Sequence, residues 1–400
     1  MTDRPDFEPM LERRLQAYAA RAVRPAHPAE IARTTIQAAT VPLGRTSLLR
    51  GPRRPMLLLG MAAVLLAAVV GAAFIGGRTP AIQGAFVDGP SLDGGLIADA
   101  VALPDGRVLV GVRPEEGTVP GTTTLRCSVP CRPHLELLDP RTGVFSDTAA
   151  TPAGLTVESL APLHDGRVLI INESSDTSAR QPATIYDPVA DRFEETGTPV
   201  EPRTWPLLVT LADGRVLVAG DNVGNAALTT AELFDPATGT FSMAGSMTRP
   251  RGIGASAVLL RDGRVLIAGG GAEVGDSAEL FDPATGMFTP TGSMTVARGG
   301  FFSATLLDDG RVLIAGGLVL HPTEPTTIAP EPAATAEIYD PATGTFTAVG
   351  SMATPRYMHA ASILTDGTVL VAGGSHERPP EGGVPATTDA EIFDPATGAF

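Results

Sequence analysis

An all-β chain of six small stacked sheets is the fold class this sequence predicts, and two repeated features predict it. Asp-Gly pairs begin at Asp105, Asp165, Asp213, Asp262, Asp309 and Asp366, each between two short apolar runs. Asp-Pro pairs begin at Asp139, Asp187, Asp235, Asp282, Asp340 and Asp394, each closing a third apolar run. The unit recurs at roughly 50 residues, and a sheet so small cannot cover both of its own apolar faces. Neighbours must therefore stack, and a closed ring of six such sheets, a β-propeller, satisfies them all.

Within a unit the runs before and after Asp-Gly, such as residues 255–260 and 264–268, are short and β-prone. They read as strands a and b joined by a two-residue primed turn. Gly269 and Gly270, Gly316 and Gly317, and Gly373 and Gly374 end strand b, where a neighbouring backbone is expected to come too close for a Cβ. Strand c is the Ala-Glu-Leu-Phe or Ala-Glu-Ile-Tyr run, as at residues 231–234 and 336–339. Asp-Pro-Ala-Thr-Gly then turns the chain into strand d at Phe241 or Phe346: Pro presets φ, Asp caps amides and Gly supplies a positive φ.

The sixth unit stops at Gly398, Ala399 and Phe400, before strand d is formed. Residues 84–92 align with residues 239–247, so the N-terminal segment is expected to supply that strand and close the ring. Alternation of strands puts the short a–b and c–d turns on one face of the disc. The b–c connections and d-to-a crossings lie on the other. Long insertions at residues 113–133, 318–332 and 375–387 crowd one arc of that second face, in the first, fifth and sixth units, and mark it as the expected interaction surface.

The division expected is a basic segment over residues 1–54, a span over 55–77, a linker over 78–85 and the propeller over 86–400. Residues 55–77 carry no charge, and Met56 to Ile75 as a helix would rise about 30 Å, enough to cross the hydrocarbon layer. Residues 1–54 hold ten Arg against five acidic residues, which is +5; removing this from the whole-chain −15 leaves −20 beyond the span. The basic side stays in the cytoplasm under the positive-inside rule, so the ring is expected outside the membrane on a single-pass anchor. A domain so acidic repels phosphate, which excludes nucleic acid as a partner.

Cys127 and Cys131, the two cysteines, lie in one loop of the exported part and are expected to form a disulfide. No lysine occurs, which removes Walker-type phosphate binding and Schiff-base chemistry. Phe7, Met10, Leu11, Leu15, Tyr18 and Ala22 recur at helical spacing, predicting a short cytoplasmic helix before the span.

On the Gly-Gly pairs after strand b, the Phe opening strand d, and the Met and then Arg before strand a, the chain over about residues 84–400 resembles the kelch-repeat family. The ring resembles the propeller domain of galactose oxidase. It has fewer aromatics than the animal kelch pattern, with Trp205 its one tryptophan. A galactose oxidase site implies copper held by two His, two Tyr and a Cys joined to one Tyr. Tyr186 and Tyr339 fall in strand c, Tyr357 and His359 lack plausible partners, and His134, His164, His321 and His376 are scattered, so that activity does not carry over. No metal and no cofactor is expected.

Arg203, Arg251, Arg298 and Arg356 stand just ahead of strand a in four units, where the chain passes the channel mouth. Grouped guanidinium ions could clamp a carboxylate, a phosphate or an acidic side chain; the other role open to them is to bond carbonyls and tie adjacent sheets. The function expected is a non-catalytic module binding a protein or glycan on the long-loop face, through the Arg series and the insertions. The alternatives are an envelope enzyme acting on glycans at the channel mouth and a transmembrane sensor signalling through the N-terminal helices.

Overall fold

The computed structural model describes residues 95–400 apart from 115–133, 150, 153–154, 156–158, 173–179, 221, 224–225, 253, 272–274, 320–330 and 377–388. The expected cytoplasmic segment, span, linker, closing strand and disulfide lie outside these residues. Among the described residues no helix is long and apolar enough to cross a membrane.

Six antiparallel sheets follow one another along the chain. The first holds Gly95–Ala102, Val108–Pro114, His134–Asp139 and Val144–Asp147; the second Ser159–Pro162, Val168–Ile171, Thr184–Asp187 and Arg192–Glu195. The third holds Leu207–Thr210, Val216–Ala219, Ala226–Asp235 and Thr240–Arg251, with Asn222–Val223 added at its edge; the fourth Ser256–Leu259, Val265–Ala268, Ala278–Asp282 and Met287–Pro290. The fifth holds Ser303–Leu306, Val312–Ala315, Ala336–Asp340 and Thr345–Ala348, and the sixth Ala360–Ile363, Val369–Ala372 and Ala390–Phe393. In the first five, strands a to d are hydrogen-bonded in sequence order, and in the sixth strands a to c are.

Strand b is buried at all four positions in the second to sixth sheets, as in Val265–Ala268 and Val312–Ala315. A strand covered by a neighbour on each side has no polar face, so it reads as an unbroken apolar run. The two faces part cleanly. Leu217 and Leu233 of the third sheet pack against Val265, Ile267 and Phe281 of the fourth, while Leu266 and Leu280 turn to Val312, Ile314 and Tyr339 of the fifth. The inner strand a of each sheet lies against that of the next, from the first sheet to the sixth.

Strand d begins with the aromatic that the repeat predicts, and its ring rests on the last aromatic of strand c. Centroids are 4.8 Å apart for Phe281 and Phe288 and 4.7 Å for Tyr339 and Phe346. Phe393 and Phe400 form the same pair at 5.1 Å, and Ala399 bridges to Asp394. The last two residues therefore already hold the first two places of the sixth strand d, which the alignment had given to Ala85 and Phe86.

The turns keep their residues but not all their predicted geometry. At Asp262-Gly263 the Leu260 amide donates to the Arg264 carbonyl at 2.8 Å and the Gly263 amide to the Leu260 carbonyl at 3.0 Å. That is a three-residue loop with only Gly263 left-handed, at φ 88°, not the two-residue primed turn expected. The reason is local: Asp262 accepts the Arg264 amide at 3.0 Å and the Arg264 Nε at 2.8 Å, holding the Asp in ordinary backbone.

Candidate functional site at the crossing face

The guanidinium groups that the sequence places at the channel mouth are buried inside the sheets. Arg203 is 3% exposed, and Arg251, Arg298 and Arg356 are 0% exposed. Each meets a glutamate from strand c of the sheet whose strand a follows it in the chain. Arg251 Nη2 lies 3.0 Å from Glu279 Oε1, Arg298 Nη2 3.0 Å from Glu337 Oε1, and Arg356 Nη2 2.9 Å from Glu391 Oε1. Arg203 uses Nε on Glu232 Oε1 at 3.1 Å.

The same guanidinium also donates to the carbonyl that ends strand b: Gly220 at 2.7 Å, Gly269 at 2.7 Å, Gly316 at 2.6 Å and Gly373 at 3.1 Å. The second carboxylate oxygen receives a backbone amide of the d-to-a crossing, from Val200 at 2.6 Å, Thr248 at 2.7 Å and Ala353 at 2.6 Å, and likewise from Thr295. Burial lowers the pKa of Arg251 and Arg298, and the facing carboxylate opposes that shift. This geometry gives the Arg series the second role open to it, a clasp joining crossing, strand b and strand c. Missing from the sequence reading were Glu232, Glu279, Glu337 and Glu391. Their signal was a charged residue recurring at the second position of an otherwise buried strand.

Next to the clasps, two residues other than glycine hold left-handed backbone: Phe301 at φ 58° and Met358 at φ 54°. Both stand two places before strand a, where the fourth sheet has Gly254 at φ 88°. The Phe301 amide donates to the Gly254 carbonyl at 3.1 Å and the Met358 amide to the Phe301 carbonyl at 3.0 Å, so the three positions are linked across successive sheets. Phe301 is half-buried and Met358 is 49% exposed. Strained backbone that presents apolar side chains is a pattern associated with binding sites.

The long insertions root at the same place. Leu318–Val319 and Glu331–Pro332 form a small sheet with Arg298–Gly300, beside Phe301. In the sixth unit Tyr357 and Ser375 exchange backbone hydrogen bonds at 3.0 and 2.9 Å, beside Met358. The structure thus brings together the stems of the fifth and sixth insertions and two apolar residues on one face.

The titratable groups around this face are mostly paired or buried. His359 Nε2 lies 3.0 Å from Ser303 Oγ, and Nδ1 is shut off from solvent. Dense packing, with the Arg356 and Arg298 cations nearby, holds its pKa down at about 3. Tyr186 donates to Asp191 at 2.8 Å and Tyr339 pairs with Thr291 at 2.9 Å, near the c–d turns and away from His359. Tyr357 is fully buried; burial pushes its phenol up, partly offset by the Ser375 hydroxyl. His134 pairs with Glu136 at 2.9 Å, and the His164 ring lies over Gly214. Among the described residues no three His, Cys, Asp or Glu side chains converge, and the Tyr and His donors face different neighbours, so they do not fit the copper set of galactose oxidase.

No family model matches the chain, and no curated protein matches it. Among solved structures it is similar to a fungal alcohol oxidase of the AA5 family in complex with copper, at 19% identity, a TM-score of 0.46 and coverage of 78% of each chain. A likeness of that degree carries no conclusion about activity.

Proposed function

We propose that this chain is a membrane-anchored, six-bladed kelch-like propeller outside the cytoplasm, acting as a non-catalytic binding module for a protein. The observation that carries the reading is the division of labour on the crossing face. The buried Arg–Glu clasps hold the frame, while left-handed Phe301 and Met358 stand beside the insertion stems. A rigid frame presenting strained apolar residues at the roots of long insertions is built for contact with a partner.

Burial at the two ends of the stack supports ring closure. Val108, Val110 and Leu138 of the first sheet and Leu370, Ala372 and Ile392 of the sixth are all less than 9% exposed, and they are the faces a closed ring would press together. In this reading residues 87–92 continue the sixth strand d beyond Phe400, and residues 55–77 cross the membrane.

The test is capture from membrane-envelope extract with the full-length chain and its Met358→Asp and Phe301→Gly variants. A partner held by the parent and lost by both variants, each folded, supports the reading. Equal capture by all three, or turnover of a glycan panel by the parent alone, would replace it. A reporter enzyme active only outside the cytoplasm, fused after Phe400, is expected to be active; an inactive fusion counts against the orientation.

A further inference from the structure

The opposite face, that of the short turns, carries a regular covering rule. At four turns the side chain just before Asp-Gly lies over the glycine of the Asp-Gly turn in the next sheet, whereas Gly106 of the first sheet and Gly263 of the fourth have nothing within 4 Å. Pro104 covers Gly166, with Cγ 2.9 Å from where a Cβ would stand; His164 covers Gly214 at 3.3 Å; Arg261 covers Gly310 at 3.2 Å; Asp308 covers Gly367 at 3.4 Å. Between the third and fourth sheets the residue in that place is Ala212, and nothing comes within 4 Å of Gly263. The gap left by the short side chain is part of an open surface cleft of about 260 Å³.

Its chemistry is specific. Leu211, Ala212, Gly263, Pro283 and Ala284 are its apolar lining, and Asp213, Asp262 and Asp282 line it with Arg215 and Arg264. The two guanidinium groups are already held: Arg215 Nη2 is 2.7 Å from Asp213 and Arg264 Nη2 2.6 Å from Asp262. Arg215 also donates to the Pro283 carbonyl at 3.2 Å. Asp282 makes no ion pair of that kind; one oxygen caps the Ala284 amide at 2.9 Å, and the three carboxylates exceed the two guanidinium groups by one negative charge. The volume falls just below the roughly 300 Å³ at which small-molecule sites begin, so it suits one side chain better than a cofactor.

We infer that this cleft receives a single cationic side chain, a guanidinium or an ammonium on a methylene stem, from a partner polypeptide. The stem lies along the apolar lining and the head meets Asp282. The net charge of −20 beyond residue 54 draws such a chain toward this domain. The site is on the face opposite the crossing segments and stands whether or not they bind.

The probe is N-acetyl-arginine amide, titrated into the full-length protein by calorimetry or by NMR, with the isosteric but neutral N-acetyl-citrulline amide beside it. Saturable binding of the arginine probe is expected in the millimolar range, at least about tenfold weaker for citrulline, and weakened by salt. Ala212→Arg places in the gap the side chain that covers Gly310 in the next sheet, and should abolish binding without altering thermal unfolding. Asp282→Asn keeps an oxygen to cap Ala284 and should weaken the arginine probe about tenfold. Equal affinity for citrulline, binding undiminished in folded Ala212→Arg or Asp282→Asn protein, or no saturable binding to the parent would each overturn the assignment.

Discussion

The amide of Met358 donates to the carbonyl of Phe301 at 3.0 Å, joining two residues that both hold left-handed backbone in neighbouring sheets. Side chains other than glycine pay about 1–2 kcal/mol for that conformation. Besides Asp191 in a c–d turn, the described residues tolerate it at Phe301 and Met358, in adjacent units at the roots of two insertions, where the fourth sheet uses glycine.

Met358→Gly should relieve that strain, less about 0.4–1 kcal/mol for the freer unfolded chain, giving a net gain of up to about 1.5 kcal/mol in urea unfolding. Met358→Ile should instead destabilise, because a β-branched side chain resists a positive φ. Stability unchanged in both would show that the backbone there is not strained.

Glu337→Ala leaves the Arg298 guanidinium buried without its carboxylate and is expected to cost about 3–5 kcal/mol in denaturant unfolding. Replacing both partners, as Arg298→Met with Glu337→Leu, should recover much of that loss. A loss for the single variant of under about 1 kcal/mol would mean that water reaches the clasp.

The acid limb of stability should carry two opposite contributions. His359 has a pKa of about 3 in the fold against 6.5 as a free group, so between these values the unfolded chain binds more protons. Its contribution is complete above pH 6.5 and is lost as pH falls toward 3. His359→Phe, copying Phe302 at the same place in the fifth sheet, should flatten that slope in unfolding curves between pH 4 and 6.5.

Asp99 acts the other way. Dense packing raises its pKa from 3.8 to about 6, against the pull of the Leu160 and Ala100 amides it accepts. The folded chain then holds more protons than the unfolded one, so this contribution is present below pH 3.8 and lost as pH rises through about 6. Asp99→Asn should remove the loss between pH 4 and 6; an identical pH profile in the variant would mean that the carboxyl is ordinary.

Gly316→Ala should destabilise by more than about 1 kcal/mol, the order expected where alanine meets a positive φ. Its Cβ would stand 2.5 Å from the Arg356 carbonyl oxygen at φ 66°. Unchanged unfolding of the variant would count against the close approach of the two sheets.

Strand order, the Asp-Pro-Ala-Thr-Gly turn, the aromatic that opens strand d and the buried strand b were legible because each is set by neighbouring residues. Proline fixes φ, glycine admits a positive φ, and a strand covered on both faces is apolar throughout. The Asp-Gly loop was misread by one residue, since its type depends on which backbone the Asp side chain caps. What Arg203, Arg251, Arg298 and Arg356 do was decided by tertiary structure, because their glutamates lie 28–39 residues away and meet them only when strand c pairs with strand b. The same holds for the left-handed Phe301 and Met358, which no residue type announces, and for Ala212, whose short side chain matters only because Gly263 of the next sheet lies where a longer one would reach. Local backbone preference is written in a few adjacent residues. The cost of burying a charge, or the space left by a missing side chain, exists only once distant segments are packed together.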